Sequence, residues 1–265
     1  MPTPAPLTLT VLGCGSSIPG AERLPPAYHV ATSDGQQWLL DAGAGATFRL
    51  AQAGHRDADL DHVFISHTHQ DHIAGLLPLL QGLGGAEGAA RQRPLPIHGP
   101  EAVKDYLDRT IALELISAPP FPVEFNLLHD GDSFSSGPLR AHVRSMHHSR
   151  PALGLRLELD DVVFVYSADT GPCAAALELA HDADLLLMEA SFPTGQDSEH
   201  HLTTAQAGDI ARRAGVRSLL LTHLFPDSLA LSTATLEAQV RASGYAGVLR
   251  VARDLDIIPI DRPDR

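Results

Sequence analysis

The sequence predicts an α/β (α+β) fold, read as one domain over residues 1–265. Short apolar runs of strand length recur along the chain and alternate with stretches whose apolar residues keep helical spacing. Again and again such a run ends in a histidine, an aspartate or a glutamate. No internal repeat or linker divides the chain, and 265 residues suffice for one large core.

Residues 7–12 alternate as a half-buried strand and enter a glycine-rich loop over 13–20. Pro19, Pro25 and Pro26 break the chain beyond it, so a tight loop at the rim of a site is expected rather than a dinucleotide-binding helix. Residues 28–32 and 38–40 read as strands paired across the turn Ser33-Asp34-Gly35. Asp41 follows, at a position from which it could cap a helix over 46–53.

The densest chemistry lies between His62 and Leu80. Val63-Phe64-Ile65 is a short buried strand, and Ile73-Ala74-Gly75-Leu76-Leu77 begins a helix. Between them stand His67, His69, Asp71 and His72. Side chains alternate along an extended segment, so His67 and His69 share a face, and the turn into the helix brings Asp71 and His72 beside them. Neutral imidazole and carboxylate suit borderline divalent metals, and four such groups on one turn can begin two adjacent metal sites.

Residues 82–90 read as a flexible glycine-rich loop, 95–98 as a strand and 101–110 as a helix. Ala118-Pro-Pro-Phe-Pro122 is a rigid connector before a strand over 123–128. A strand over 139–146 delivers His147 and His148, either of which could ligate. A hairpin follows, 153–159 and 162–166 about the turn Asp160-Asp161, and it leads to Asp169. A carboxylate at the end of a buried strand needs a partner, either a metal or the start of a helix over 172–180. Strand 185–189 ends in Glu189; His200 and His201 precede a helix beginning at Thr203 or Thr204 and reaching Ala214. Residues 218–222 end in His223, a helix spans 232–242, and strands occupy 248–252 and 256–260.

The net charge of −13 argues against a long polyanion as an obligatory partner, because nucleic-acid binders need cationic surface. Small anionic substrates stay open, since bound dications offset part of that charge locally. Two cysteines, Cys14 and Cys173, make no disulfide framework, so a reducing cytoplasm is expected. No signal peptide is read at the N-terminus and no apolar run long enough to span a membrane. Among the 15 histidines, His55, His129 and His181 sit in polar settings and are expected to be solvated. A homodimer is left open.

Taken together, these segments resemble the metallo-β-lactamase superfamily, and in particular its ribonuclease Z-like members. His-x-His-x-Asp-His at 67–72, Leu-Leu-Asp-Ala-Gly at 39–43, His148-x-x-Pro-x-x-Gly-x-Arg156, Ser-Ala-Asp-Thr at 167–170 and Glu-Ala-Ser-Phe at 189–192 carry the likeness, with His-Leu-Thr at 201–203 and His223. The resemblance implies a four-layered αβ/βα sandwich. It implies two divalent ions, zinc before manganese or iron, with His67, His69 and His148 at one and Asp71, His72 and His223 at the other. Asp169 would bridge them. Asp71 would also orient the nucleophile, and His201, held by Glu189, would protonate a leaving oxygen or steady a phosphorane-like one. The family's usual glycine before that histidine is His200 here, and His147 is expected to pack behind the site. Transfer-RNA-processing members carry a basic arm between the segments that here are joined by the hairpin 157–166 alone. The expected substrate is therefore a small phosphodiester or cyclic phosphate such as a cyclic nucleotide. An ester, lactone or thioester hydrolase, a ribonuclease Z-type endonuclease and a metal-dependent nucleotide sensor are the alternatives.

Overall fold

The computed structural model describes residues 5–18, 20–85 and 91–261. The chain opens with strands β1 (Leu7–Gly13), β2 (Ala27–Thr32) and β3 (Gln37–Ala42), then helix α1 (Ala46–Gln52). After a single 3-10 turn, Asp57–Asp59, come β4 (His62–Phe64), α2 (Gln70–Ile73), α3 (Leu76–Leu83), β5 (Leu95–Gly99), α4 (Glu101–Ala112) and β6 (Val123–Leu127). The second half runs β7 (Ser133–Ser136), β8 (Leu139–Met146), β9 (Ala152–Leu159), β10 (Val162–Tyr166), α5 (Ala174–Leu179) and β11 (Leu185–Glu189). It closes with α6 (Thr204–Arg213), β12 (Ser218–Thr222), α7 (Pro226–Leu229), α8 (Thr233–Ala242), β13 (Val248–Val251) and β14 (Ile257–Ile260).

The strands form two sheets, ordered β14-β1-β2-β3-β4-β5-β6 and β13-β12-β11-β10-β9-β8-β7. In each sheet one half is antiparallel and the other parallel: β3 to β6 in the first, β10 to β13 in the second. Apolar faces of the two sheets meet in a core that includes Leu9, Trp38 and Phe64 from one and Leu155, Phe164 and Leu187 from the other. On the outer face of the first sheet pack Leu50, Leu76 and Leu107; on that of the second pack Leu179, Ile210 and Leu236. The order helix, sheet, sheet, helix is the expected four-layered sandwich.

Strands β4, β10, β11 and β12 are buried on both faces, which is why they read as continuous apolar runs rather than alternations. Three elements escape the sequence pattern. β7 (Ser-Phe-Ser-Ser) has no apolar run, and α7 is a single turn started by Pro226 at its first position. The loop expected over 82–90 begins later than predicted, because α3 continues to Leu83; residues 86–90 lie outside the described residues. Pro78 falls in the first turn of α3, where its missing N–H breaks no helical bond.

The ends of the parallel strands are brought together by close backbone contact. A side chain at Gly43 would put its Cβ 2.4 Å from the carbonyl oxygen of Asp71, and one at Gly75 would lie 2.4 Å from that of Gly43. The turn after β3 is therefore interlocked with α2, and only glycine permits the approach. Among the described residues no helix is long and apolar enough to cross a membrane.

Candidate metal centre

Every proposed donor leaves the end of a strand or the turn just beyond it. The loop after β4 carries His67 and His69, and α2, which follows at once, carries Asp71 and His72; His148 follows β8, Asp169 follows β10, and His223 follows β12. Ends of parallel strands are where α/β sheets place ligands, since backbone direction changes there and side chains are released from the ladder. Three strand-end residues, Asp41, Ala168 and His223, hold φ of +54°, +52° and +55°. Non-glycine residues pay to sit there, and the packing that holds them aims the site.

Two sets of donors result. In one, His69 Nδ1 lies 3.0 Å from His67 Nε2 and 3.0 Å from His148 Nε2, with Asp169 Oδ2 3.8 Å from the former and 3.9 Å from the latter. In the other, His223 Nε2 is 3.3 Å from both His72 Nε2 and Asp71 Oδ2. Asp169 reaches into this set as well, 3.3 Å from His72 through Oδ1 and 3.3 Å from His223 through Oδ2. All seven residues expected to converge do so, with Asp169 between the two sets.

The donor chemistry fits a pair of divalent cations. Nitrogens about 2.0–2.1 Å from a tetrahedral zinc stand roughly 3.3 Å apart, the spacing found here. The far nitrogens are already committed: His72 Nδ1 to Asp41 Oδ2 at 2.6 Å, His67 Nδ1 to Ser66 Oγ at 2.9 Å, His223 Nδ1 to Ser191 Oγ at 2.9 Å and His148 Nδ1 to the His200 carbonyl at 2.9 Å. Such outer bonds fix ring orientation and turn the inner lone pairs on one another. Facing lone pairs need a cation between them. A proton is the alternative occupant: burial pulls the pKa of His72 down, but the carboxylates of Asp169 and Asp41 outweigh it and hold it well above the usual value. His67 and His148 are kept neutral, their pKa values lowered chiefly by burial. Burial likewise opposes ionisation of Asp169, yet His223 and His72 draw its pKa well below the carboxylate range.

Asp41 is a support and not a helix cap. It is fully buried, and α1 is capped by Gly45 without a side-chain bond. Its carboxylate accepts from Ser66 N at 2.7 Å, Ser66 Oγ at 2.8 Å and Tyr166 Oη at 2.6 Å besides His72. Asp169 does not cap either, since the N-cap of α5 is Cys173. Thr203 is the cap of α6, in a reciprocal pair with Gln206.

Glu189 and His201 pair as expected, Oε1 to Nδ1 at 3.0 Å. The Glu189 carboxylate also accepts from Thr170 N at 2.8 Å, Leu202 N at 3.1 Å and Ser191 Oγ at 2.7 Å. With Nδ1 held, His201 Nε2 is the free nitrogen, and its ring lies 5.1 Å from that of His148 and 5.5 Å from that of His223. Burial lowers its pKa, but Glu189 more than compensates and leaves it raised. His201 also comes within 4.8 Å of Asp169 and His223, and like His72 it is held at Nδ1 by a buried carboxylate.

Two participants have only a faint sequence signal. Ser191 touches Glu189, His201 at 3.2 Å and His223, and it lies two residues beyond Glu189, on the same side of an extended chain. Tyr166 ends an otherwise apolar strand, where a buried hydroxyl needs a partner. Two expectations need correction. His147 is exposed at the rim rather than packed behind the site: β8 ends at Met146, as expected, and the bend that follows carries the His147 side chain outward. His55 is half-buried against His29, with ring centroids 4.0 Å apart, whereas His129 and His181 are exposed as expected.

Sandwich and donor set together define a metal-dependent hydrolase. The model of the β-lactamase superfamily domain matches residues 37–224, and the chain belongs to the metallo-β-lactamase superfamily, in its ribonuclease Z-like branch. Ribonuclease Z of Mycobacterium marinum is 30% identical over 96% of this chain and 99% of its own. That of Ignicoccus hospitalis is 31% identical over 80% of this chain and 86% of its own. Among solved structures, the metallo-β-lactamase-fold protein YhfI of Bacillus subtilis is 26% identical with a TM-score of 0.81, covering 96% of this chain and 99% of that one. Human short-form tRNase Z, 22% identical with a TM-score of 0.79, covers 96% and 100% and shares the fold.

Proposed function

We propose that the chain is a phosphodiesterase that cleaves a small phosphodiester or cyclic phosphate, a cyclic nucleotide or similar, in the reducing cytoplasm. Two divalent ions, zinc first, would be held by His67, His69 and His148, and by Asp71, His72 and His223, with Asp169 shared. Bound there, such ions supply Lewis acidity and a water made nucleophilic at neutral pH. Asp71, at the mouth of the second set, orients the attacking group. Asp41, Ser66 and Ser191 keep the donor rings from turning.

The observation that carries the reading is the Glu189–His201 pair. With Nδ1 bound to the carboxylate and the ring beside those of His148 and His223, a proton on Nε2 would be available to a departing alkoxide. An acyl substrate with a good leaving group has less use for it. The short β9–β10 turn at Asp160–Asp161 and the charge of −13 support a small substrate over transfer RNA. A second reading, a ribonuclease Z endonuclease, is favoured by the full-length match to relatives of that name. Metal-loaded protein assayed on bis(p-nitrophenyl) phosphate, cyclic nucleotides, a lactone, a thioester and precursor transfer RNA separates these. Turnover of the phosphodiesters without accurate RNA trimming is expected; efficient trimming would instead establish the endonuclease.

A further inference from the structure

We propose that His147, Glu199 and His200 form a further divalent-cation site on the rim of the buried centre, separate from it and weaker. Donor atoms of the three lie within 4.8 Å of one another. His147 Nε2 stands 3.9 Å from Glu199 Oε1, and the rings of His147 and His200 are 5.7 Å apart. Two imidazoles and a glutamate are a donor set that holds zinc elsewhere in proteins, with remaining positions filled by water.

The backbone builds the cluster. Gly171 donates its N–H to the His147 carbonyl at 2.7 Å, and a Cβ on Gly171 would lie 1.8 Å from the Glu199 carbonyl oxygen. The two segments that bear the donors are thus fixed against the same glycine. His200 is anchored on both sides, its carbonyl by His148 Nδ1 and its N–H by Ser198 Oγ at 3.2 Å. Its Nδ1 is buried and has no hydrogen-bond partner. Buried polar atoms left without partners are uncommon, and an ion bound by its ring is one way to satisfy such an imidazole.

Charge decides what the cluster takes. Glu199 would face any phosphate placed there, so the pair of histidines does not make an anion site. Side chains of His147 and Glu199 are 50% and 76% exposed, so binding must order two mobile groups and pays for that in entropy. The rim site therefore fills after the buried donors.

Zinc itself is the probe: the holo protein is titrated in metal buffers, and bound metal is counted by elemental analysis. Wild type should take up one equivalent more than the buried donors hold, at higher free zinc. Glu199→Gln and His147→Ala should each weaken that last equivalent at least tenfold and leave the tighter ones unchanged, which also certifies their folding. Asp169→Ala should do the converse, so failure of the buried centre is read apart from failure of the rim. A last equivalent that fills at the same free zinc in wild type, Glu199→Gln and His147→Ala would overturn the proposal, as would the absence of any equivalent beyond those held by the buried donors.

Discussion

Two of the largely buried histidine clusters among the described residues make an instructive contrast, for one resembles a site and the other does not. His62 and His98 bond to each other at 3.0 Å, and His62 reaches Ser136 Oγ at 2.8 Å. Trp38 stacks on His62 with centroids 4.1 Å apart, and Phe134 on His98 at 4.5 Å. Burial pushes the His62 pKa down to about 4 and that of His98 to about 3. Burial lowers His67 and His148 in the same direction. A depressed imidazole pKa thus marks desolvation and says nothing of ligation. What separates the groups is that the strand-end rings converge with carboxylates among them, whereas His62 and His98 lie flat between aromatic faces.

The largest expected effect tests that convergence. Asp169→Ala removes the carboxylate common to both donor sets, and metal affinity and turnover should each fall by more than about 100-fold, beyond what loss of an outer residue costs. His98→Phe, by contrast, should retain full metal content by elemental analysis. Full metal in the first variant, or loss in the second, breaks the distinction.

Next in size, His201→Ala should keep its metal and lower turnover by roughly 10²–10⁴-fold on a poor leaving group. The loss should shrink on bis(p-nitrophenyl) phosphate, whose phenolate departs without a proton. Glu189 raises the pKa of His201, so Glu189→Gln should move the alkaline limb of the kcat–pH profile to lower pH. An unmoved limb assigns that limb to another group.

Asp41→Asn should weaken metal binding by about 10–100-fold, the range for a residue that orients a ligand. An affinity within a factor of two of wild type would show that Ser66 and Tyr166 hold the turn unaided.

The last effect, spread over pH rather than set by one substitution, concerns stability. His29 and His98 are buried and have folded pKa values of about 4 and about 3, below the ordinary 6.5. A depressed imidazole contributes stability above the unfolded pKa and loses it as pH falls. As pH falls from 6.5 to 5, the loss from each should steepen toward a limit of about 1.4 kcal/mol per pH unit, read as falling Tm by calorimetry. His98→Phe should flatten that acid slope.

Nearly every strand and helix was legible because burial wrote itself into the pattern. β11 and β12 are apolar on both faces, and α6 carries its own capping pair. The convergence of the candidate donors was legible because strand ends rarely cluster imidazole and carboxylate without cause. Ser191 and Tyr166 were not, since a hydroxyl in a strand has many ordinary uses and its partner sits on another strand. His147 was misplaced although its strand was bounded correctly, because strand alternation no longer decides where a side chain points once the chain has left the ladder at Met146.

The donors are split between the halves of the chain, and His72 and His223 are separated by 151 positions. Bringing such distant segments together costs loop entropy before any contact repays it, and contacts of that range form late. During synthesis the histidine-rich turn therefore emerges without most of its partners and stays incomplete until His223 has been made and the sheets have closed. Metal capture becomes a clock for that closure. In a refolding experiment the ions should enter in a single late phase, coincident with the burial of Trp38 between the sheets.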